Sequence, residues 1–135
     1  MKVSLVSIIV ENQAHALEFY RDTPGFVVKD DVRLGPPGAP RWITLAAPGD
    51  PDGARISLEP SFFAFVKTYQ TALKDNGVPL TAFLSQDVQA DYDRLSAAGV
   101  TFKGPPKAGD AAMPLLATFD DSCGNWIMLY EGPKP

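Results

Sequence analysis

The residues of this chain that could carry catalysis or bind a metal are few. It has a single histidine, His15, and a single cysteine, Cys123. His15 falls in the first turn of a predicted helix, beside the helix cap, so we expect a solvated surface side chain there. Cys123 precedes Gly124 in a predicted turn. Because no histidine is expected beside it, we interpret Cys123 as a structural turn residue and not as an activated nucleophile.

Acidic side chains offer two further candidates. Asp120 and Asp121 form a pair that would suit a metal, but a turn with the sequence Asp-Asp-Ser-Cys-Gly-Asn explains them more simply through side-chain bonds to the backbone. Glu59 lies at the end of a predicted strand. It is either a solvated carboxylate or, if apolar side chains enclose it, a group that binds a cation or acts as a general base.

Length and composition indicate one small globular protein. The 135 residues are 45% apolar and 21% charged, with a formal net charge of −4. No basic stripe is present, so binding to nucleic acid or to a membrane surface is not expected. Residues 3–10 are apolar, but this run is too short to span a bilayer and no cleavage site follows it. One cysteine excludes an intrachain disulfide and fits a reducing compartment, so we expect a cytoplasmic protein.

The elements that must position these residues occur twice in the same order. Asn12 caps a predicted helix that ends near Gly25, and Asp87 caps a second helix that ends at Gly99. Residues 61–76 are predicted to form a linking helix with apolar side chains at Phe62, Phe63, Val66, Tyr69 and Leu73. The predicted strands are residues 3–10, 26–28, 41–47 and 55–59 in the first half, and 80–85, 100–103, 115–119 and 126–131 in the second.

This repetition predicts an α+β fold of two tandem βαβββ units. We expect one domain over residues 1–135, with the first unit at about 1–60, the linking helix at about 61–77 and the second unit at about 78–132. Gly/Pro-rich loops at 35–40 and 104–109 are expected to connect strands within each unit.

Three sequence segments, in this order along the chain, resemble motifs of the vicinal-oxygen-chelate superfamily, which contains glyoxalases, bleomycin-resistance proteins and dioxygenases. Residues 12–20 with Gly25-Phe26 resemble its first helix-to-strand stretch, and residues 87–100 resemble the corresponding stretch of the second unit. Residues 119–129, FDDSCGNWIML, resemble its final turn and strand. The resemblance covers nearly the whole chain and implies that the two units form a cupped mixed sheet.

The resemblance also indicates where a metal would be bound. Proteins of this fold typically hold a divalent ion between a histidine on the first strand and a carboxylate on the last strand of each unit. In this chain those positions fall at Leu5, Leu80 and Met128, and at Ser57 or, if the strand slips by two, at Glu59. Leucine and methionine do not replace these ligands. The resemblance therefore implies a degenerate site with neither metal nor other cofactor.

Strand alternation then predicts the lining of the trough in the cupped sheet. Ile43 and Leu45 are expected to pack toward the helices, which leaves Trp42 and Thr44 in the trough. Both tryptophans and Glu59 fall on this face, although tryptophan and methionine on a sheet are equally compatible with simple packing. The predicted ligand-binding residues are Leu5, Ser7, Trp42, Thr44, Ser57, Glu59, Leu80, Ala82, Thr118, Trp126, Met128 and Tyr130.

Three functions are compatible with this lining. The first is a metal-independent binder of a small aromatic or cationic molecule, similar to the antibiotic-sequestering members of the superfamily, for which the resemblance implies a homodimer. The second is an enzyme, a lyase, isomerase or dioxygenase, with an atypical metal site or with Glu59 as its base. The third is an interaction module without a ligand, which predicts a trough filled by Trp42, Trp126 and Met128.

Overall fold

The structure is a computed structural model that describes residues 1–133, so the last two positions of the predicted domain lie outside the described residues. Helices and strands alternate along it twice in nearly the same order, as the sequence predicts. The elements are β1 (Leu5–Val10), α1 (Gln13–Asp22), β2 (Val27–Arg33), β3 (Arg41–Ala46), β4 (Arg55–Pro60), α2 (Ala64–Asp75), β5 (Thr81–Ser85), α3 (Val88–Ala97), β6 (Lys107–Ala108), β7 (Leu115–Asp120) and β8 (Trp126–Glu131).

Hydrogen bonds group the eight strands into two four-stranded mixed sheets. The first sheet has the order β1-β4-β3-β2 and the second has the order β5-β8-β7-β6. In each sheet the first and last strands of the unit pair in parallel, whereas the other pairs are antiparallel. Two βαβββ units and an α+β fold class are therefore confirmed. One compact unit comprises Met1–Lys67 and the other begins at Thr68, inside α2.

Side-chain caps start the two repeated helices where the sequence predicts them. The Asn12 side chain accepts a hydrogen bond from the backbone N–H of His15, and the Asp87 side chain accepts one from that of Ala90. Each cap satisfies a helix-end donor that would otherwise lack a partner, which contributes about 1 kcal/mol. After α1, Gly25 adopts a φ of 87°, a conformation that a residue with a Cβ rarely adopts.

One face of each sheet forms the core of its unit. In the first unit Ile8, Ile43 and Leu45 are fully buried on the side where α1 contacts β3 and β4, and Tyr20 of α1 is buried with them. In the second unit the corresponding face carries Ala117, Phe119, Ile127 and Leu129, and α3 contacts β7 and β8. The strand alternation predicted from sequence is thus present in both sheets, and the opposite face of each is left for other contacts.

One predicted strand is wrong. Residues 100–103 do not form a continuous strand, and their pairing with β7 is limited to Phe102 opposite Phe119, with one backbone hydrogen bond on either side. The pairing resumes only at β6, within the segment that was predicted to be a loop. Pro105 and Pro106 intervene, and because proline has no backbone N–H to donate, the ladder is interrupted between Phe102 and Lys107.

Among the described residues, no helix has both the length and the apolar character needed to cross a bilayer.

Candidate functional site

The open face of the first sheet carries all six of the site residues predicted in that unit. Ser7 is aligned with Ser57, and Ser57 is aligned with Thr44, so these three side chains lie in one row across β1, β4 and β3. By the same alternation, the remaining predicted residues lie in the rows above and below, on the face away from α1. They are Leu5, Trp42 and Glu59.

A hydrogen-bonded set of polar side chains occupies the middle of this face. The row continues onto β2, where Asp30 is aligned with Thr44. Asp30 Oδ2 accepts the hydroxyl of Thr44 at 2.6 Å and Nη1 of Arg55 at 3.2 Å. Thr44 is buried, with 1% of its surface exposed, whereas the side chains of Asp30 and Arg55 are each 37% exposed. The carboxylate is therefore held from the protein side and can still be reached from solvent.

Glu59 has a protein partner on the same face. The buried Ser57 hydroxyl donates to Glu59 Oε1 at 2.6 Å. This short bond to a charged acceptor is of the stronger class and orients the carboxylate along β4. The arrangement gives Glu59 a fixed position beside Ser57.

A pocket of about 590 Å³ opens beside the Asp30–Thr44–Arg55 set. Residues 2–5 and residues 52–55 line it, together with Asp30, Trp42 and Thr44. Its volume falls in the range of pockets that take small organic molecules. Three of the predicted site residues, Leu5, Trp42 and Thr44, line this pocket, whereas Ser7, Ser57 and Glu59 are not part of the lining.

Trp42 lies at the end of the first sheet where β3 and β4 are no longer joined by backbone hydrogen bonds. Strands β3 and β4 are paired only from Thr44 to Ala46. Beyond them the Gln13 side chain inserts: its Nε2 donates to the carbonyl oxygens of Arg41 and Leu58 at 2.7 and 2.9 Å, and its Oε1 accepts from the N–H of Arg41 at 3.0 Å. A side-chain amide here replaces the backbone pairing next to Trp42.

Arg41 is also fixed on its other side. Its guanidinium makes two hydrogen bonds to the Asp31 carboxylate, at 3.0 and 2.6 Å. The hydrogen bond to Asp31 raises the pKa of Arg41, partly opposed by desolvation. This ion pair lies outside the pocket lining.

The open face of the second sheet carries the other six predicted residues. Met128 is aligned with both Ala82 and Thr118, and Tyr130 lies two residues further along β8. Leu80 immediately precedes β5, and its backbone N–H donates to the Trp126 carbonyl. This face is mainly apolar, and its central residues Trp126, Met128 and Tyr130 are half-buried.

Trp126 is engaged by its own unit. Lys74 Nζ lies 4.0 Å from the centre of its ring system and Lys103 Nζ lies 5.1 Å from it. The indole N–H donates to the Lys74 carbonyl at 3.2 Å, and Lys74 also forms an ion pair of 2.8 Å with Asp120. Two lysines of the same unit thus already make cation–π contacts with this ring.

The remaining sequence candidates lie outside the pocket lining. His15 is exposed in the first turn of α1. Asp121 is fully buried, and its carboxylate accepts hydrogen bonds from the backbone N–H groups of Cys123 and Asn125 and from the Asn125 side chain. The interpretation of this segment as a hydrogen-bonded turn is confirmed, and Cys123 is buried within it.

The donor set at the positions expected for a metal does not fit a divalent ion. Leu5, Leu80 and Met128 supply no hard or borderline ligand, which leaves only Ser57 and Glu59, already bonded to each other. Among residues 1–133, no group of three or more histidine, cysteine, aspartate or glutamate side chains is arranged to hold a metal.

Sequence reasoning predicted three of the eleven residues that line the pocket, and it missed Asp30 and Arg55 in the lining and Gln13 beside Trp42. Arg55 shares the alternation of Ser57 and Glu59, so the same argument would have placed it on the open face. Asp30 gave no such signal, because the register of β2 against β3 shifts between Val28 and Asp30 and this irregularity reverses the parity. The insertion of Gln13 depends on non-local contacts that no local pattern reports.

Comparison with known proteins identifies the same superfamily that the sequence resembles. The family model described as Glyoxalase/Bleomycin resistance protein/Dioxygenase superfamily matches residues 2–129. The uncharacterized protein YurT of Bacillus subtilis (strain 168) is 43% identical over 132 residues, which is 97% of this chain and 99% of YurT.

Solved structures agree with this match. The structure of UcmS2 is similar with a TM-score of 0.80 and 26% identity, over 96% of this chain and 97% of that one. TnmS3, an antibiotic binding protein from Streptomyces sp. CB03234, is similar with a TM-score of 0.71 and 29% identity, over 98% of this chain and 96% of that one.

Proposed function

Because the chain belongs to the glyoxalase/bleomycin resistance protein/dioxygenase superfamily, we propose that it binds a small aromatic molecule without a metal, in the manner of an antibiotic-binding protein. The observation that carries this proposal is the pocket of about 590 Å³ on the open face of the first sheet, with the 37% exposed Trp42 in its lining. The lining combines this indole and the aliphatic side chains of Val3 and Leu5 with polar groups, among which Thr44 and Asp30 are hydrogen-bonded to each other.

Two further observations support a binder. The similarity to TnmS3, at 29% identity, is to a protein described as antibiotic binding. The mapped metal positions hold two leucines and a methionine, which argues against the metal-dependent reactions of the superfamily. An open pocket in the first unit also disfavours the alternative of an interaction module whose trough is filled by its own side chains.

We propose that the ligand stacks on Trp42, with Leu5 and Thr44 beside it. A contribution from the open face of the second sheet, through Leu80, Ala82, Thr118, Trp126, Met128 and Tyr130, stays a prediction. The lysines over Trp126 favour a packing role for that ring, so the two tryptophans are expected to behave differently.

The test is a fluorescence titration of the protein with a broad panel of aromatic compounds, neutral, anionic and cationic. We expect quenching by at least one compound, and we expect Trp42→Ala to weaken its binding at least tenfold. Trp126→Ala is the matched control and should change that affinity less than threefold, with folding of both variants checked by circular dichroism. A panel in which no compound quenches the fluorescence or raises the Tm would contradict the proposal, as would stoichiometric iron, manganese, nickel or zinc in the purified protein.

We also propose that the protein works in the cytoplasm as a homodimer. Phe62, Phe63 and Phe65 are 64%, 65% and 71% exposed around the start of α2, and exposed apolar patches of this kind mark association surfaces. Light scattering should give a mass of about 29 kDa, twice the 14.5 kDa of the chain. A mass of one chain at micromolar concentration would contradict the dimer and leave the binding proposal intact.

A further inference from the structure

The pocket of the first unit contains the positively charged side chain of Arg55, which a neighbouring carboxylate orients but whose hydrogen-bond donors are only partly used. Arg55 Nη1 donates to Asp30 Oδ2, and the same oxygen accepts the hydroxyl of Thr44. Because Thr44 is buried, its hydroxyl fixes the carboxylate, and the carboxylate in turn fixes the guanidinium. The bond to Asp30 therefore restrains Arg55 toward one side of the pocket before a ligand is present, which lowers the entropy cost of using it for recognition.

Most of the donor capacity of Arg55 is left over. A guanidinium has five N–H donors, and within residues 1–133 the only side-chain acceptor that Arg55 contacts is Asp30. Arg55 lines the pocket, and its side chain is 37% exposed. The remaining planar fork matches a carboxylate or a similar planar oxyanion, which it can contact with two parallel bonds.

The charges around the pocket do not form a cation trap. Its lining contains two positive side chains, Lys2 and Arg55, and two negative ones, Asp30 and Asp52. The charge of Asp30 is already offset by Arg55 and by the bond from Thr44. Glu59, which the sequence suggested as the partner of a cationic ligand, is bonded to Ser57 and is not part of the lining.

We propose that Arg55 determines the specificity of this pocket and selects aromatic ligands that carry a carboxylate, phenolate or other planar acceptor group over cationic aromatics. The inference rests on the proposed function, because it assigns the polar end of a ligand whose ring stacks on Trp42. Asp30 and Thr44 are positioning residues that act through the guanidinium.

Three probes of equal ring size test the proposal by calorimetry at low ionic strength: 2-naphthoate, 2-naphthamide and 2-naphthylmethylammonium. We expect the naphthoate to bind at least tenfold more tightly than the ammonium compound, with the amide between them. Arg55→Met should weaken naphthoate binding at least tenfold and change amide binding less than threefold. The matched control is Arg41→Met, whose guanidinium pairs with Asp31 outside the lining and whose loss should leave all three affinities within twofold.

Arg55→Lys keeps the interpretation independent of folding defects. It retains the positive charge at the start of β4 but replaces the planar fork by a single ammonium, so we expect a partial loss of the naphthoate preference.

Equal binding of the three probes, or a preference for the ammonium compound that Arg55→Met leaves unchanged, would overturn the role of Arg55. If Trp42→Ala still abolished binding in that case, the proposed function would stand. If neither the probes nor the broad panel bound, both proposals would fail together.

Discussion

The two units share one architecture and differ in what their open faces do. In the first unit the open face holds a fixed polar set, Asp30, Thr44 and Arg55, beside a pocket. In the second unit the corresponding face is mainly apolar, and Trp126 is covered by Lys74 and Lys103. A repeated fold therefore does not imply a repeated surface: equivalent positions carry a hydrogen-bonded polar set in one unit and mainly apolar side chains in the other.

The turns that precede the last strand of each unit also differ: the turn of the first unit is exposed, and the turn of the second unit is largely buried. In the first unit, residues 48–52 are exposed and Asp52 lines the pocket. In the second unit, Asp121, Cys123 and Asn125 are buried, and Gln70 of α2 donates to the Cys123 carbonyl and to the Asn125 side chain. One turn is a rim of the pocket and the other is part of a packed core.

The largest expected effect comes from a substitution that disrupts the buried turn of the second unit. Asp121→Ala leaves the N–H groups of Cys123 and Asn125 buried without their acceptor, so we expect the free energy of unfolding to fall by about 3 kcal/mol. Asp52→Ala in the exposed turn is the control and should change it by less than about 0.5 kcal/mol. Urea denaturation of both variants measures the difference. Equal losses in the two variants would show that the turns are energetically alike.

A second prediction concerns the seam between the third and fourth strands. In the second unit, residues 116–120 of β7 pair with residues 126–130 of β8. In the first unit, backbone pairing covers three positions and Gln13 bridges the rest. Gln13→Ala removes three hydrogen bonds to partly buried backbone groups, and we expect a loss of about 2 kcal/mol in urea denaturation.

Gln89→Ala is the matched control for Gln13→Ala. Gln89 is an exposed glutamine of α3 whose side-chain amide donates to Asp93 one turn later. Such a pair contributes about 0.2–0.5 kcal/mol, so its loss should be several times smaller. A Gln13→Ala variant as stable as the control variant would mean that water or the backbone replaces the glutamine bridge at no cost.

The smallest expected effect is the difference in stability between substitutions of two lysines in the same helix, α2. Lys74 of α2 pairs with Asp120 and lies over Trp126, whereas Lys67 pairs with the exposed Glu11 of the first unit. We expect Lys74→Met to cost about 1 kcal/mol and to shift the Trp126 emission, because it removes a half-buried ion pair together with a cation–π contact. Lys67→Met should cost less than about 0.5 kcal/mol and leave the emission unchanged. Thermal unfolding followed by fluorescence separates the two variants.

Local patterns were sufficient for most of the fold. The caps at Asn12 and Asp87, the buried strands and the face on which Trp42 lies all follow from spacing within short segments. The strand expected at residues 100–103 is reduced to a single bridge to β7, because the two prolines that follow have no N–H with which the pairing could continue. Spacing determines which side chains share a face, but it does not determine where a ladder stops.

The candidate site was less predictable because its polar set is formed by contacts across strands. Asp30 reaches Thr44 only because β2 has an irregular register, and Arg55 is bonded to Asp30, 25 residues away in the chain. The sequence also predicted equivalent roles for Trp42 and Trp126. The lysines that separate them come from α2 and from the segment after α3, and neither is adjacent to Trp126 in sequence.

The side chain of Gln13 has a mechanical consequence. A backbone ladder fixes the distance between two strands, whereas an amide on rotatable bonds can follow them as they move apart. The end of the first sheet that bears Trp42 is therefore expected to be more compliant than the equivalent end of the second sheet. We expect structures with ligands of different size to differ in the separation of Arg41 from Leu58, while the spacing of the equivalent strands in the other unit stays constant.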